Sequence, residues 1–249
     1  MKKILYVSFC VLLFGCSISE DCFKNSGATT TKIITLPLES HFDKIYVFPH
    51  IKLVLAQGDE NAITVKAGSN VIDDISVRIV NDSLLLQDNS GCNLNRQYGN
   101  KTVFVTAKNV PVMKIYSNTE QQIVSSGVLT FPILELYAMD YFGGVGTGDF
   151  NLDVNNIETV IETNNVATFK MRGHTNVLWL NFYDGLGRFE GAEMPANQVR
   201  FFQRSANDLI VKPTDSLIGN LYGTGNVRCL TQPLEVNVQR HYTGRLIFE

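Results

Sequence analysis

A motif recurs about every twenty residues over roughly the last hundred residues of this 249-residue chain. Each copy ends in a large apolar residue, and the successive copies end at Phe150, Phe169, Phe189, Leu209, Val227 and Leu246. These residues follow one another at intervals of 19, 20, 20, 18 and 19 residues. Such a period is typical of a solenoid, in which each repeat buries its apolar face only by stacking on its neighbours.

Each repeat contains two runs of alternating apolar and polar residues, joined by corners rich in Asn and Gly. Alternation places every second side chain on one face of a strand, and twenty residues are too few for strands plus a packed helix. The pattern therefore predicts an all-β, right-handed parallel β-helix or β-solenoid, with two or three short strands per coil of about 20 residues. A β-sandwich or barrel is the alternative, because turn signals are frequent there too. The regular spacing favours the solenoid.

The N-terminus has the pattern of a secretory signal. Two lysines precede the uncharged apolar run 4–14, which is too short to span a bilayer. The run ends in Leu-Phe-Gly-Cys at residues 13–16, which resembles the lipobox of bacterial lipoproteins. We therefore predict a signal peptide at residues 1–15, with Cys16 carrying acyl chains such as palmitate that hold the protein at a membrane. An ordinary signal peptide cleaved nearby, or a cytosolic protein with a stray cysteine, is the alternative.

The segment after Cys16 bears on location and domain organisation. Acidic residues at positions 20 and 21 resemble the export signal of some Bacteroidota lipoproteins. We expect an outer membrane lipoprotein, on either the periplasmic or the cell-surface face. Since no linker rich in Pro, Gly or Ser divides the rest, we predict a lipidated flexible tail at 16–35 and a single solenoid domain at 36–249.

The composition excludes several function classes. The net charge is −3 with 18% charged residues, so no basic patch points to nucleic acid. The four histidines have no metal-ligand spacing and no Cys-x-x-Cys occurs, so we predict neither a metal nor another cofactor.

Paired carboxylates such as Asp149 with Asp153 lie about 13 Å apart along a strand, too far for one glycosidic bond. The other carboxylates that we consider as catalytic candidates are Glu158 with Glu162, and Asp184 with Glu190 and Glu193.

These carboxylates define two hypotheses about function. The first is a binding, adhesion or structural module without catalytic activity. The alternative is a β-helix carbohydrate-active enzyme, a polysaccharide lyase or hydrolase, which would need carboxylates that converge in a groove across several coils.

Three cysteines remain in the exported chain beyond Cys16. Export to an oxidising compartment permits disulfides, and Cys22 lies in the tail whereas Cys92 lies in a turn-rich segment. We predict a Cys22–Cys92 disulfide, which closes a loop of about 70 residues and contributes roughly 4 kcal/mol in the chain-entropy model. Cys229 lies in a strand-like run and is predicted to be a buried free thiol.

Aromatic residues cluster in the middle repeats, at Tyr137, Tyr141, Phe142, Trp179, Phe182, Tyr183, Phe201 and Phe202. In alternating strands about half of them face outward. Trp179 and Tyr183 are therefore candidates for a surface strip that binds a glycan or an envelope protein. The alternative is that most of these rings belong to the core or pair across coils to stabilise the sheet. The sequence makes no prediction about oligomeric state.

Several short segments, in this order, resemble the head GIN domain family of auto-transporter adhesins. They are residues 21–24, 42–45, 54–58, 89–96 and 223–227, and the resemblance covers roughly residues 20–249. It implies a β-solenoid domain of secreted or lipid-anchored envelope proteins, mainly of Bacteroidota, and adds no catalytic residues. The chain departs from the family in its middle repeats, where aromatic residues such as Trp179 replace several Gly-rich corners.

Overall fold

The structure is a computed structural model, and it describes residues 25–37, 40–90, 100–140 and 146–249. Apart from a 3-10 helix at Ile72–Asp74, the regular elements within these ranges are strands. The first ten are β1 (Thr29–Ile34), β2 (Lys44–Val47), β3 (Lys52–Gln57), β4 (Ala62–Gly68), β5 (Ile75–Val80), β6 (Ser83–Asp88), β7 (Thr102–Ala107), β8 (Val112–Ser117), β9 (Ile123–Leu129) and β10 (Ile133–Ala138). The others are β11 (Phe150–Thr163), β12 (Thr168–Phe182), β13 (Arg188–Gln203), β14 (Leu209–Leu221), β15 (Val227–Cys229), β16 (Glu235–Arg240) and β17 (Leu246–Phe248). No helix in these ranges is long and apolar enough to span a membrane.

The strands wind into a β-solenoid of about six turns, which confirms the predicted fold class. The first face contains β6, β2, β8 and β10, the second halves of β11 to β14, and β16. The second face contains β7, β3 and β9, the first halves of β11 to β14, and then β15 and β17. Between the two faces lies one continuous apolar core.

The residues that end the sequence motif form a ladder in this core. Parallel pairing sets them opposite one another in successive coils, in the order Phe150, Phe169, Phe189, Leu209, Val227 and Leu246. The first five are fully buried, and the rings of Phe150 and Phe169 stack with centroids 4.7 Å apart. Each buried side chain contributes about 1.5–3 kcal/mol of apolar burial. The period of about twenty residues is therefore the length of one coil.

The coils from β11 to β14 differ from the expected two or three short strands. Each is one continuous strand of 13 to 16 residues that passes from the second face to the first. In β11 the buried side chains lie at even positions up to Val154 and at odd positions from Thr159. This change of parity marks the corner, where the strand turns while its backbone stays paired with the next coil.

The N-terminal half departs from a simple coil-by-coil order. The coil made of β2 and β3 pairs on one side with β6 and β7 and on the other with β8 and β9. Antiparallel strands extend both faces beyond it, with β4 next to β7, β1 next to β4, and β5 next to β6. Strand β1 lies inside 16–35, the segment expected to be a flexible tail, and all six of its residues pair with β4.

Candidate binding surface

Of the four cysteines from Cys16 onward, Cys229 is the one that the structure describes. Cys16, Cys22 and Cys92 lie outside the described residues, as does the segment 1–15. Cys229 is a buried free thiol in β15, as predicted, and it donates a hydrogen bond to the carbonyl oxygen of Thr231 at 3.3 Å. Burial raises the pKa of this thiol, so it stays protonated and is a packing residue rather than a nucleophile.

Aromatic side chains follow the edge of the first face where its strands end. Tyr183 lies 5.8 Å from Phe202, Phe202 lies 5.0 Å from Tyr222, and Tyr222 stacks on His241 at 4.2 Å, all measured between ring centroids. We call these four residues the aromatic strip. They come from the coils of β12, β13, β14 and β16, and Tyr183 and Tyr222 are 37% and 41% exposed. The strip therefore offers rings to solvent over several coils.

A hydrogen bond fixes the end of the aromatic strip nearest the C-terminus. The Nε2 atom of His241 lies 3.0 Å from Oδ1 of Asn220, and the ring planes of His241 and Tyr222 are 7° apart. Because residues 222 and 241 both directly follow paired strands, the spacing of 19 residues brings the two rings together. Sequence reasoning missed Tyr222 and His241, although this spacing was the signal that could have found them.

Trp179 occupies a separate position on the outer side of the first face. It is half-buried, and the guanidinium carbon of Arg200, its neighbour across the coils, lies 5.0 Å from the ring centroid. This cation–π contact covers part of the indole face. Trp179 and Tyr183 are four residues apart, about 13 Å along an extended strand. The structure thus brings Tyr183 together with Phe202, not with Trp179, and it buries Phe182 and Phe201 in the core.

A second aromatic group on the first face has a stabilising geometry. The rings of Tyr46, Tyr116 and Tyr137 stack at 4.4 and 4.6 Å with nearly parallel planes. The hydroxyl of Tyr137 donates to Glu135 at 2.6 Å, and Glu135 also pairs with Lys114 at 2.7 Å. Burial, with a contribution from Tyr46, raises the pKa of Tyr116 to about 12. Because these rings cover one another's faces, the group holds three coils together rather than offering a platform to a ligand.

Four of the seven candidate catalytic carboxylates have structural partners. Glu190 and Glu193, both from β13, line one groove together with Lys170 and Arg172. Asp153 accepts a hydrogen bond from Nε of Arg172 at 2.6 Å, and Glu190 pairs with Arg188 at 3.0 Å. Asp149 accepts from the backbone of Thr168 at 3.0 Å, and Asp184 accepts from the amide of Gly185 at 2.8 Å. Over the part of the chain that the structure describes, no three His, Cys, Asp or Glu side chains are grouped to hold a metal ion.

Solved structures share this fold over nearly the whole chain. A crystal structure of a putative adhesin from Bacteroides fragilis has a TM-score of 0.77 at 15% identity, covering 91% of this chain and 100% of that one. A putative adhesin from Parabacteroides distasonis has a TM-score of 0.60 at 17% identity, covering 90% and 99%. A putative lipid binding protein from the same species has a TM-score of 0.61 at 14% identity, covering 91% and 100%. At these identities the likeness shows the fold.

Sequence comparison identifies the family directly. No curated protein sequence matches this chain. The family model described as putative auto-transporter adhesin, head GIN domain matches residues 41–233, which is most of the chain. This match agrees with the resemblance of the short segments in the sequence, and the solenoid geometry is that of the solved adhesin structures. The protein belongs to the putative auto-transporter adhesin, head GIN domain family.

Proposed function

We propose that this protein is a non-catalytic binding or adhesion module of the cell envelope, held at the outer membrane by a lipid on Cys16. The aromatic strip is the observation that carries the proposal. It places accessible rings on neighbouring coils, at an edge where a glycan or a protein loop can contact several of them at once. The family description supports adhesion, and the arginine partners of Asp153 and Glu190 give no support to a carbohydrate-active enzyme.

Substitution of the exposed tyrosines tests the aromatic strip. We expect Tyr183→Ala combined with Tyr222→Ala to reduce binding to an array of polysaccharides and purified extracellular-matrix proteins by at least tenfold, since aromatic anchors dominate such interfaces. The matched control is Ile157→Ala combined with Val128→Ala, which removes exposed apolar side chains outside the strip. Both variants should keep the circular dichroism spectrum of the parent. Equal binding by parent, variant and control would reject the strip as the binding surface.

Protease treatment of intact cells tests the location. If the domain is an adhesin on the cell surface, an antibody against its C-terminus loses its signal when intact cells are digested. Protection until the outer membrane is broken places the domain in the periplasm, and the role then narrows to a structural module of the envelope. Cys16→Ala should release the protein from the membrane fraction in either case, because the acyl chains are the proposed anchor.

We also propose that Cys22 and Cys92 pair in the exported protein, with the signal peptide at 1–15 removed. The pairing would attach the start of the chain to the turn-rich segment after β6. Mass spectrometry of the unreduced protein after thiol alkylation counts the free thiols. One alkylated cysteine, Cys229, is expected after denaturation, and three would disprove the pairing.

A further inference from the structure

A groove with two lysines crosses the second face near its N-terminal end. Strands β4, β7 and β3 are neighbours there, and their pairing aligns Lys66, Thr102 and Lys52 in one outward row. With strands about 4.8 Å apart, the Cα atoms of the two lysines lie roughly 10 Å from each other. The groove has a volume of about 620 Å³ and is also lined by Thr29, Val54, Asn100 and Phe104. We call it the lysine groove.

Among the residues that the structure describes, no acidic side chain balances the charges of the lysine groove. Within the described ranges, neither Lys52 nor Lys66 forms a side-chain hydrogen bond or ion pair, and no carboxylate lines the groove. Other lysines of the chain do have acidic partners, for example Lys32 with Asp73 at 2.7 Å and Lys114 with Glu135 at 2.7 Å. Two neighbouring lysines without a described acidic partner give the groove a local positive charge on a chain whose net charge is −3.

An apolar surface lies directly beside the two cations. The pairing sets Phe104 opposite Val54, one outward position further along β7 and β3 than Thr102 and Lys52. Phe104 is 39% exposed although it lies in the middle of β7. Apolar contact beside a few placed polar groups is the usual chemistry of a small-ligand site, and an accessible ring stacks well on the C–H face of a sugar.

We propose that the lysine groove binds an acidic polysaccharide, with its carboxylate or sulfate groups on Lys52 and Lys66 and a sugar ring against Phe104. The row of lysines runs across the strands, so a chain of sugars lies along the solenoid and meets both cations. Thr102, between the lysines, presents a hydroxyl that hydrogen-bonds a sugar oxygen. The site is on the opposite face from the aromatic strip and goes beyond the proposed function, since it names a ligand class at a second surface.

Binding of defined polymers tests the proposal. Isothermal titration calorimetry is carried out at low salt with polygalacturonate, dextran sulfate and neutral dextran. We expect binding to one or both acidic polymers and none to dextran. Lys52→Gln combined with Lys66→Gln should weaken binding about tenfold, because two charge contacts are lost. The control is Lys108→Gln combined with Lys170→Gln, which removes the same charge at exposed positions elsewhere and should leave the affinity unchanged.

Further variants separate this site from general charge attraction and from the aromatic strip. Phe104→Ala should weaken binding several-fold at unchanged net charge, and Tyr183→Ala with Tyr222→Ala should not change it. Equal losses in the lysine variant and its control would overturn the proposal, as would undiminished binding by the lysine variant or equal binding of dextran. Binding to anionic phospholipid vesicles without binding to either acidic polymer would overturn it in favour of a lipid surface. All variants alter outward-facing side chains, and their melting temperatures check the fold.

Discussion

Gly173 shows at the scale of one residue how closely the coils approach. It lies inside β12 with φ of +100°, opposite Val154 of the previous coil. A Cβ atom at this position would lie 2.0 Å from the carbonyl oxygen of Val154. Only glycine combines this left-handed backbone with such a short distance between strands. The repeat did not single out this residue, because the motif marks the buried ladder and not the distance between neighbouring backbones.

We predict that Gly173→Ala destabilises the protein by about 1–3 kcal/mol from backbone strain alone, with a further cost from the clash. Gly127→Ala is the control, because Gly127 has φ of +93° but no atom within 4 Å of an added Cβ. Urea unfolding of the two variants measures the difference. Equal losses of stability would show that backbone strain, and not the short distance to Val154, determines the cost of replacing Gly173.

Glu120 gives a prediction about acid stability. Partial burial opposes its ionisation, but hydrogen bonds from Gln121 and His50 lower the pKa of Glu120 from 4.5 to about 2. The unfolded chain therefore binds this proton more readily than the folded protein. The contribution of Glu120 to stability is complete above pH 4.5 and is lost as the pH falls from 4.5 to 2.

Glu120→Gln should therefore flatten the decrease of the unfolding free energy between pH 4.5 and 2 and lower stability at pH 7. The effect is modest because the side chain is 39% exposed. Denaturant titrations at a series of pH values measure it, with Glu60→Gln, an exposed position before β4, as the control. If the unfolding free energy of the variant decreases below pH 4.5 as steeply as that of the parent, the lowered pKa of Glu120 is contradicted.

The sequence predicted the core residues better than the surface residues. The apolar residues that end each motif form the buried ladder. The sequence period equals the length of one coil, so it predicts which residues lie above one another in the core. Among the aromatics, Tyr183 is exposed, but which rings lie next to it was not predictable from the sequence. Phe201 and Phe202 are adjacent, and which one faces inward depends on the exact corner of β13, where the parity of burial changes.

At the scale of the element, a coil is a bent strand whose stability depends on its stacked interior side chain. We predict that Phe169→Ala costs about 3–5 kcal/mol, because it leaves a cavity between Phe150 and Phe189. Ile157→Ala, at a corner position that is 58% exposed, should cost much less. Thermal and urea unfolding compare the two variants. A similar cost for both would mean that the ladder does not hold the coils together.

The N-terminal elements show which pairings a local pattern can predict. The turn between β5 and β6 has a local sequence signal in Asn81, Asp82 and Ser83, which are residues typical of hairpin turns, and both Asn81 and Asp82 have positive φ there. The insertion of β2 and β3 between later strands was not expected. Pairing between segments far apart in the sequence leaves no periodic signal, and alternation looks the same in parallel and antiparallel strands.

The two ends of the solenoid are built differently. Antiparallel strands β1, β4 and β5 extend the faces at the N-terminal end, and Ile72 and Ile75 are buried there. At the other end, within the described residues, β16 pairs with β14 alone and β17 with β15 alone. Leu234 and Val236 are 92% and 45% exposed beside this last coil.

We predict that hydrogen exchange is slowest in β12 and β13 and fastest in the strands with a single neighbour among the described residues, which are β1, β5, β16 and β17. Local opening requires the least free energy where a strand has one neighbour and few buried contacts. Mass spectrometry of peptic fragments measures the gradient in the isolated protein. Uniform protection along the solenoid would contradict it and would indicate that the last coil is covered in solution.

The position of the coil of β2 and β3 has a consequence for how the chain reaches its native state. Its neighbours on both sides, β6 with β7 and β8 with β9, are synthesised after it. One edge of this coil therefore stays open until residue 107 is available and the other until residue 129, whereas each later coil can dock on a completed one. Assembly of the first coils in strict sequence order is therefore excluded. Closure of this coil is a non-local, slow step, and the later coils can then add in sequence order.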